Sequence, residues 1–315
     1  EQLIGEQLTY PSAVILPSDE ILVTARQGNS SINILAAPAS LVFMRFQNGV
    51  FLETQTLFLS NQQDEQFHDR YADYAPQLSV GRDGRVYVAF HIHERPKGNP
   101  LGDVSGFGYA ISYLYSDDGG RVWKDDVGRA VSLPATLPSL HLLAGAKNVS
   151  DAKAYYAGTS PAINPITQEY FVLYEKYQLA EGRWETWLNR RGPTGWTESL
   201  VGRDLFHSSM MFTRDGTIYV IAEKGTNVTF QSPLASWYLP KRIVLFKSDD
   251  LGRSFTTREV SGYPEGGDTF WLPSLEKAIT VSGLTAPLFS LYAGGTNDMT
   301  SNNQSNSTVF LVQVR

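Results

Sequence analysis

The sequence predicts an all-β fold, a β-propeller of four-stranded antiparallel blades, on three observations. Helical periodicity is scarce, while short β-rich runs broken by turn signals recur throughout the 315 residues. A unit of apolar strand, tight polar turn and second apolar strand appears four times and, more loosely, a fifth. Each of the first four copies is followed by a further pair of strand-like runs, which makes a four-stranded sheet that cannot bury both faces alone. Repeats at this spacing imply five blades, with six as the alternative, in a single domain over residues 1–315.

The first copy is SAVILPSDEILVTAR (12–26), followed by LVFMRF and VFLETQTLF. The second, APQLSVGRDGRVYVAFHIH (75–93), precedes YAISYLYS and AVSL. The third, SPAINPITQEYFVLYEK (160–176), precedes RWETWLNR and WTESL, and the fourth, SSMMFTRDGTIYVIAEK (208–224), precedes RIVLFKS and FTTREV. After the looser fifth, LEKAITVSGLTAPLFSLYAGG (275–295), comes only STVFLVQV. Its missing fourth strand is expected from the N-terminal LIGEQLTY, which would close the ring and remove an exposed edge.

Composition narrows the function classes. With 42% hydrophobic and 12% aromatic residues against 18% charged, the chain suits a globular, aromatic-rich β protein rather than a disordered one. Net charge of −6 argues against non-specific attraction to nucleic acid or an anionic membrane, so an anionic ligand would need a local basic patch. The absence of cysteine excludes disulfides, thiolate metal sites and a cysteine nucleophile. Sequons start at Asn29, Asn148, Asn227, Asn303 and Asn306. No apolar run approaches the ~18 residues of a membrane span, and no basic start followed by an apolar core opens the sequence. The expected location is secreted or extracellular.

Two octapeptides stand out, SDDGGRVW (116–123) and SDDLGRSF (248–255). Each lies between the third and fourth strand-like runs of its repeat, and its composition suits a hairpin: a short carboxylate to accept backbone N–H bonds, a glycine for a left-handed torsion, and an aromatic to pack back over the loop. The pattern resembles the Asp box, or BNR repeat, of sialidase-like propellers, in which the box is structural and lies on the face opposite the active site. That resemblance directs the search to the other ends of the blades, to segments entering first strands and leaving second strands. Entering segments offer Tyr10, FHDRYADY (67–74), Tyr155 with Tyr156, RDLFH (203–207) and GGDTFW (266–271). Leaving segments offer Arg26, HIHER (91–95), Tyr174 to Lys176, Glu223 with Lys224, and Asn297 with Asp298.

The second repeat is the richest, with His68, His91 and His93 beside Arg70, Arg95, Tyr71 and Tyr74. Strand alternation puts His91 and His93 on one side, although His-x-His without a clear third ligand is a weak metal signal. The order of YPS at Tyr10, ARQGNS (25–30), GRDGRVYVAFHIHER and YAISYLYSDDGGRVWKDDVGRAVSLP resembles the BNR-4 group of propellers, which includes ulvan lyases and related polysaccharide lyases. The resemblance is best over the first ~130 residues. Those lyases use a histidine entering a blade and another leaving its second strand, with Tyr and Arg nearby, which maps to His68 and His93 here, with His91 as a rival for the latter. They have more blades than five, and the Arg-Ile-Pro motif of true sialidases is replaced here by Tyr-Pro-Ser.

The implied chemistry is β-elimination on a uronic-acid polysaccharide. It needs a cation to neutralise the carboxylate, a base to take the neighbouring proton, and an acid to protonate the leaving oxygen. His93 or His68 is the expected base, Tyr71, Tyr74 or Tyr156 the acid, and Arg26 or Arg95 the neutraliser. Arg70, Tyr174, Lys176, His207, Glu223 and Trp271 are expected to bind substrate, the aromatics by stacking on sugar faces. The elimination requires no cofactor; a structural Ca²⁺ is left open. Two other functions compete: a glycoside hydrolase using paired carboxylates among Asp69, Asp73, Glu175, Glu223 and Asp268, and a glycan-binding propeller without catalysis.

Overall fold

A computed structural model describes residues 6–16, 18–29, 40–59, 67–96, 107–147, 151–225, 241–261, 269–275, 288–294 and 307–313. The chain divides into two compact units, Glu1–Pro161 and Ala162–Arg315. In the first, strands β1 (Glu6–Ile15), β2 (Ile21–Asn29), β3 (Ser40–Gln47) and β4 (Val50–Leu59) form one sheet in chain order. Strands β5 (Phe67–Val80), β6 (Val86–Pro96), β7 (Phe107–Ser116) and β8 (Leu142–Gly145) form the next. The division falls within β9 (Ala154–Ile163), whose sheet continues through β10 (Tyr170–Gln178), β11 (Arg183–Gly192) and β12 (Gly195–Arg203). The second unit then holds β13 (Leu205–Phe212), β14 (Ile218–Lys224), β15 (Arg242–Ser248) and β16 (Thr256–Glu259), and a three-stranded sheet of β17 (Thr269–Leu275), β18 (Leu288–Gly294) and β19 (Ser307–Gln313). The fold is thus all-β, built of the antiparallel up-and-down sheets of propeller blades.

Local chemistry explains the repeat. The hairpins of GRDGR and TRDGT turn at Gly84 (φ 80°) and Gly216 (φ 84°), where the torsion is left-handed. Asp83 accepts the Arg85 N–H at 3.1 Å and Asp215 the Thr217 N–H at 3.2 Å. Second strands read as continuous apolar runs because both faces are covered, as at the consecutive buried residues Val86, Tyr87, Val88, Ala89 and Phe90 in one unit and Val220, Ile221 and Ala222 in the other.

Four expectations are corrected. Residues 6–10 do not serve as the fourth strand of the last sheet. They continue β1, pairing from Glu6 with Asn29 to Thr9 with Arg26, because β2 runs on far enough to offer them a partner. The fourth strand of the second sheet is Leu142–Gly145 rather than AVSL: the chain after 130 spends its backbone bonds elsewhere, with Val131 N–H on Trp123 and Ala135 bridging Leu57 and Leu59 of β4. The last sheet's first strand is Thr269–Leu275, upstream of most of the expected fifth copy, of which 276–287 lie outside the described residues. Phe67–Tyr74, read as a segment entering the blade, is itself strand.

Four first strands carry the same β-bulge. Two residues oppose one on the second strand: Tyr10-Pro11 against Ala25, Ala75-Pro76 against Phe90, His207-Ser208 against Ala222, and Leu272-Pro273 against Leu291. Proline is tolerated because the ladder is already interrupted there. Tyr10 (φ 53°) and His207 (φ 43°) are left-handed at the first position. Just past the bulge a serine joins neighbouring sheets: Ser12 Oγ accepts Leu78 N–H and Ser209 Oγ accepts Leu275 N–H, both at 3.1 Å.

The octapeptides form a second joint. Ser116 donates to Asp118 at 2.6 Å and accepts Gly120 N–H at 2.8 Å, while Asp118 accepts Arg121 and Val122 N–H groups at 3.0 and 2.9 Å. Ser248, Asp250 and Gly252 repeat this, with Ser254 supplying both N–H and O–H to Asp250. The Ser254 hydroxyl leads the bonds that hold Asp250 at a pKa of about 2. A Cβ at Gly120 (φ 92°) would lie 2.4 Å from Phe43, and one at Gly252 (φ 81°) 2.4 Å from Leu188. Phe43 and Leu188 stand at the same step of their third strands, paired with Thr24 and Leu173, the fourth residues of β2 and β10. Trp123 does not fold back on its own loop. It meets Phe43 edge-on at 5.0 Å and donates to Gln55 at 3.0 Å.

This joint separates torsion from contact. Gly84→Ala, with nothing within 4 Å of the new methyl, is expected to cost about 1 kcal/mol for its torsion alone. Gly120→Ala adds an overpacking term and should cost roughly 2–4 kcal/mol. Urea midpoints compare the two, and equal losses would show that Phe43 yields without cost.

Candidate functional site

Each of four second strands places a polar side chain at its sixth residue, within an otherwise apolar run: Arg26 in β2, His91 in β6, Glu175 in β10 and Glu223 in β14. All are buried, at 9%, 3%, 4% and 0% exposure, so each demands a partner. The bulge supplies the setting. Arg26, His91 and Glu223 are the cross-strand mates of Thr9, Tyr74 and Phe206, the residue just before each bulge.

In the first unit, Arg26 Nε donates to Thr9 Oγ1 at 2.9 Å, and its guanidinium lies 4.9 Å over the ring of Tyr10, which is itself exposed. A Cβ at Gly108 would stand 1.9 Å from the Tyr156 carbonyl oxygen and 3.2 Å from His91 Cδ2, so only glycine lets these groups crowd together. Along β5 and β6 the register opposes Tyr74 to His91, Tyr71 to His93, Arg70 to Glu94 and Asp69 to Arg95, with His68 in the shift between Phe67 and Asp69. The strand ends rich in expected site residues are therefore one paired segment. The side chains of His68, Asp69, Arg70, Tyr71, Asp73, Tyr74, His93, Arg95 and Trp271 lie outside the described ones, and Asp268 outside the described residues altogether.

In the second unit, Glu175 Oε1 accepts both the N–H and the hydroxyl of Ser208, at 2.7 and 3.0 Å. Glu223 meets two basic side chains, His207 with Nδ1 2.9 Å from Oε1 and Lys241 with Nζ 2.7 Å from Oε2. Lys241, 2% exposed, also sits 5.6 Å over the ring of Phe206. Burial pushes the Glu175 carboxyl above its usual range, against the pull of His207 and Ser208. Burial acts the same way on Glu223, but His207 and Lys241 prevail and hold it low. Burial opposes charge on His207 too, yet the adjacent Glu223 carboxylate outweighs it and keeps the imidazole above its ordinary value. The cluster thus holds one carboxyl biased toward its acid form, one carboxylate and one imidazole biased toward its charged form.

Three other expected residues are engaged within the fold. Tyr174 is 1% exposed with its hydroxyl on Glu198, Lys176 lies 5.5 Å over the Trp187 ring, and Tyr156 is buried. A cleft of about 230 Å³ lined by Asp125, Arg129, His141 and Lys147 contains none of the expected site residues. Lys241, Ser208 and Thr9 were not expected. The signal for Lys241 was the glutamate inside IYVIAEK, whose burial requires a cation.

Residues 1–156 match the family model described as BNR repeat-containing family member. No curated protein matches the sequence. Among solved structures, the chain is similar to a polysaccharide lyase of family PL25, an ulvan lyase, at TM-score 0.67 and 12% identity, covering 98% of this chain and 64% of that one. The same lyase bound to -[GlcA(1-4)Rha3S]- gives 0.66 at the same identity and coverage. A protein of unknown function from Dyadobacter fermentans gives 0.58 at 13% identity over 98% and 83%. The chain thus spans 64% of the ulvan lyase's length, and these likenesses show the fold.

The pH dependence of stability reads out Glu175. Its folded pKa lies above the unfolded value of about 4.3, so the folded state holds the extra proton and stability falls as pH rises from there through the folded pKa. Glu175→Gln keeps an acceptor for Ser208 and removes this loss. Denaturant titrations between pH 4 and 8 are expected to show the variant gaining on the native chain as pH rises, and parallel curves would mean Glu175 ionises normally.

Proposed function

We propose that this chain, which carries the BNR repeat and the fold of the sialidase-like propellers, is a carbohydrate-active enzyme that cleaves a uronic-acid polysaccharide by β-elimination. The observation that carries this reading is the register of β5 and β6, which sets Tyr71 opposite His93 and Tyr74 opposite His91. Two Tyr/His couples on adjacent strands would supply both proton-transfer partners that elimination needs. The likeness to the ulvan lyase, one of whose structures holds a glucuronate-containing ligand, supports the substrate class.

In the proposed reaction Arg26 or Arg95 binds the uronate carboxylate, which acidifies the adjacent C5–H. His93 or His68 takes that proton, the C4–C5 double bond forms as the C4–O bond breaks, and Tyr71, Tyr74 or Tyr156 gives a proton to the departing oxygen. Arg26 suits its part because Thr9 and Tyr10 already fix the guanidinium. Arg70 and Trp271 would bind the flanking sugars. The substrate is an anionic polysaccharide met outside the cell, and the reaction uses no cofactor.

One observation favours a second reading. The Glu175 carboxyl is shifted above its usual range by burial and the Glu223 carboxyl below its own by His207 and Lys241, the divergence asked of an acid and a base in glycoside hydrolysis. The two are separated by product. Elimination generates an unsaturated uronate that absorbs in the ultraviolet, while hydrolysis releases reducing ends without it. Across a panel of uronate polysaccharides we expect new absorbance, reduced at least a hundredfold in rate by His93→Ala. Reducing ends without absorbance would sink the lyase reading and favour the hydrolase.

A further inference from the structure

We propose that His207 is an anion-binding donor, a tethered imidazolium that receives the carboxylate or sulfate oxygens of an acidic sugar. The proposal rests on the reading of the substrate as an acidic glycan, and deepens it by assigning a second recognition point in the Ala162–Arg315 unit.

Geometry carries it. His207 opens the β13 bulge with a left-handed backbone, and its Nδ1 is anchored 2.9 Å from Glu223 Oε1. The anchor fixes the plane of the ring. Among the charged side chains of the cluster only this one reaches solvent appreciably: its side chain is 28% exposed, against 0% for Glu223 and 2% for Lys241. Two cations converge on the single Glu223 carboxylate, so the trio of His207, Glu223 and Lys241 is net positive whenever the imidazole is protonated. The ring is the exposed end of that charge. Glu175 Oε1 accepts both donors of the adjacent Ser208, and burial pushes its carboxyl above the usual range. Among the described residues, the charged groups acting on the ring come from β14 (Glu223), β10 (Glu175) and the residue preceding β15 (Lys241); of the other elements packed on β13, β11 carries Arg183, Glu185, Arg190 and Arg191, with Glu185 on Arg203 and Arg190 on Glu169, while β17 is TFWLPSL and carries no titratable side chain.

An N⁺–H donor held in place favours an oxyanion over a sugar hydroxyl, because a charge-assisted bond is roughly twice as strong as a neutral one. Tyr10 occupies the same bulge position in the first sheet, where Arg26 holds it from the register position that Glu223 fills here. In two of the four bulged strands the first bulge position holds a ring, Tyr10 and His207, and His207 is the one that can carry a positive charge.

The test is calorimetric titration of the full chain at pH 6 with three probes: an unsulfated glucuronate oligosaccharide, a sulfated oligosaccharide of neutral sugars, and a neutral oligosaccharide. His207→Gln retains a donor for Glu223 but no charge. It is expected to weaken binding of the carboxylate probe, the sulfate probe or both at least tenfold and leave the neutral probe unchanged; the affected arm identifies the group recognised. Unchanged affinity for both acidic probes, or an equal loss for the neutral one, would overturn the proposal. Should the variant fail to fold, the native chain decides: the His207 imidazole, followed by NMR, is expected to titrate at higher pH when the acidic ligand is bound, and an unmoved midpoint refutes the assignment. Acid-specific binding that depends on His207, in a chain yielding no ultraviolet-absorbing product, would uphold this site while removing the lyase reading.

Discussion

A four-stranded sheet has two faces to bury and no means of burying both itself, so everything else in this protein depends on how one sheet is fastened to the next. The fastening is steric. A glycine with a left-handed backbone slides beneath the third strand of the preceding sheet, at Phe43 in one unit and Leu188 in the other, where even a methyl would collide. The serine and aspartate of each octapeptide exist to hold that glycine at the right height, and Trp123 seals the contact from the side. The polar words of the sequence thus do apolar work.

Close fastening at one end has a chemical consequence at the other. Second strands are covered on both faces, so a charged residue at their sixth position must be answered within the protein rather than by water. Thr9 and Tyr10 answer Arg26, Ser208 answers Glu175, and His207 with Lys241 answers Glu223. The answering residues cluster at the bulges, where the ladder breaks and side chains can approach from unusual directions. Titration properties follow from this enclosure. Burial pushes both glutamates up; it prevails at Glu175, where Ser208 and His207 pull the other way, and yields at Glu223, where His207 and Lys241 draw the carboxyl down.

The sequence made the strands and their pairing legible because alternation and Asp-Gly turns are local signals, and SAVILPSDEILVTAR needs no distant partner to read as a hairpin. It was silent where a strand's partner lies far away. AVSL has strand composition, but its neighbouring backbone bonds to β4 and to Trp123, which no local pattern announces. The same limit governs the candidate site. Arg26, His91, Glu175 and Glu223 could be singled out because charge interrupts apolar runs, whereas Lys241 and Ser208 are ordinary until the fold brings them to a glutamate 18 and 33 residues away. The bulge itself was written as Tyr-Pro-Ser, a motif that looks like a mere departure from a family pattern until the register shows its purpose.

That bulge sets the frame in which each strand is read. Side chains alternate with period two, so one surplus residue reverses the assignment of faces for everything upstream of it. Thr9 and Ser12, three apart in sequence, consequently sit opposite Arg26 and Thr24, two apart in theirs. Removing a single residue there would do more than straighten the strand: it would exchange the inward and outward faces of the outer segment, so that Thr9 no longer met Arg26. Substitution at these two positions is cheap by comparison, since Tyr-Pro, Ala-Pro, His-Ser and Leu-Pro all keep the count. The scaffold can therefore change what it displays while conserving how many residues it uses to display it.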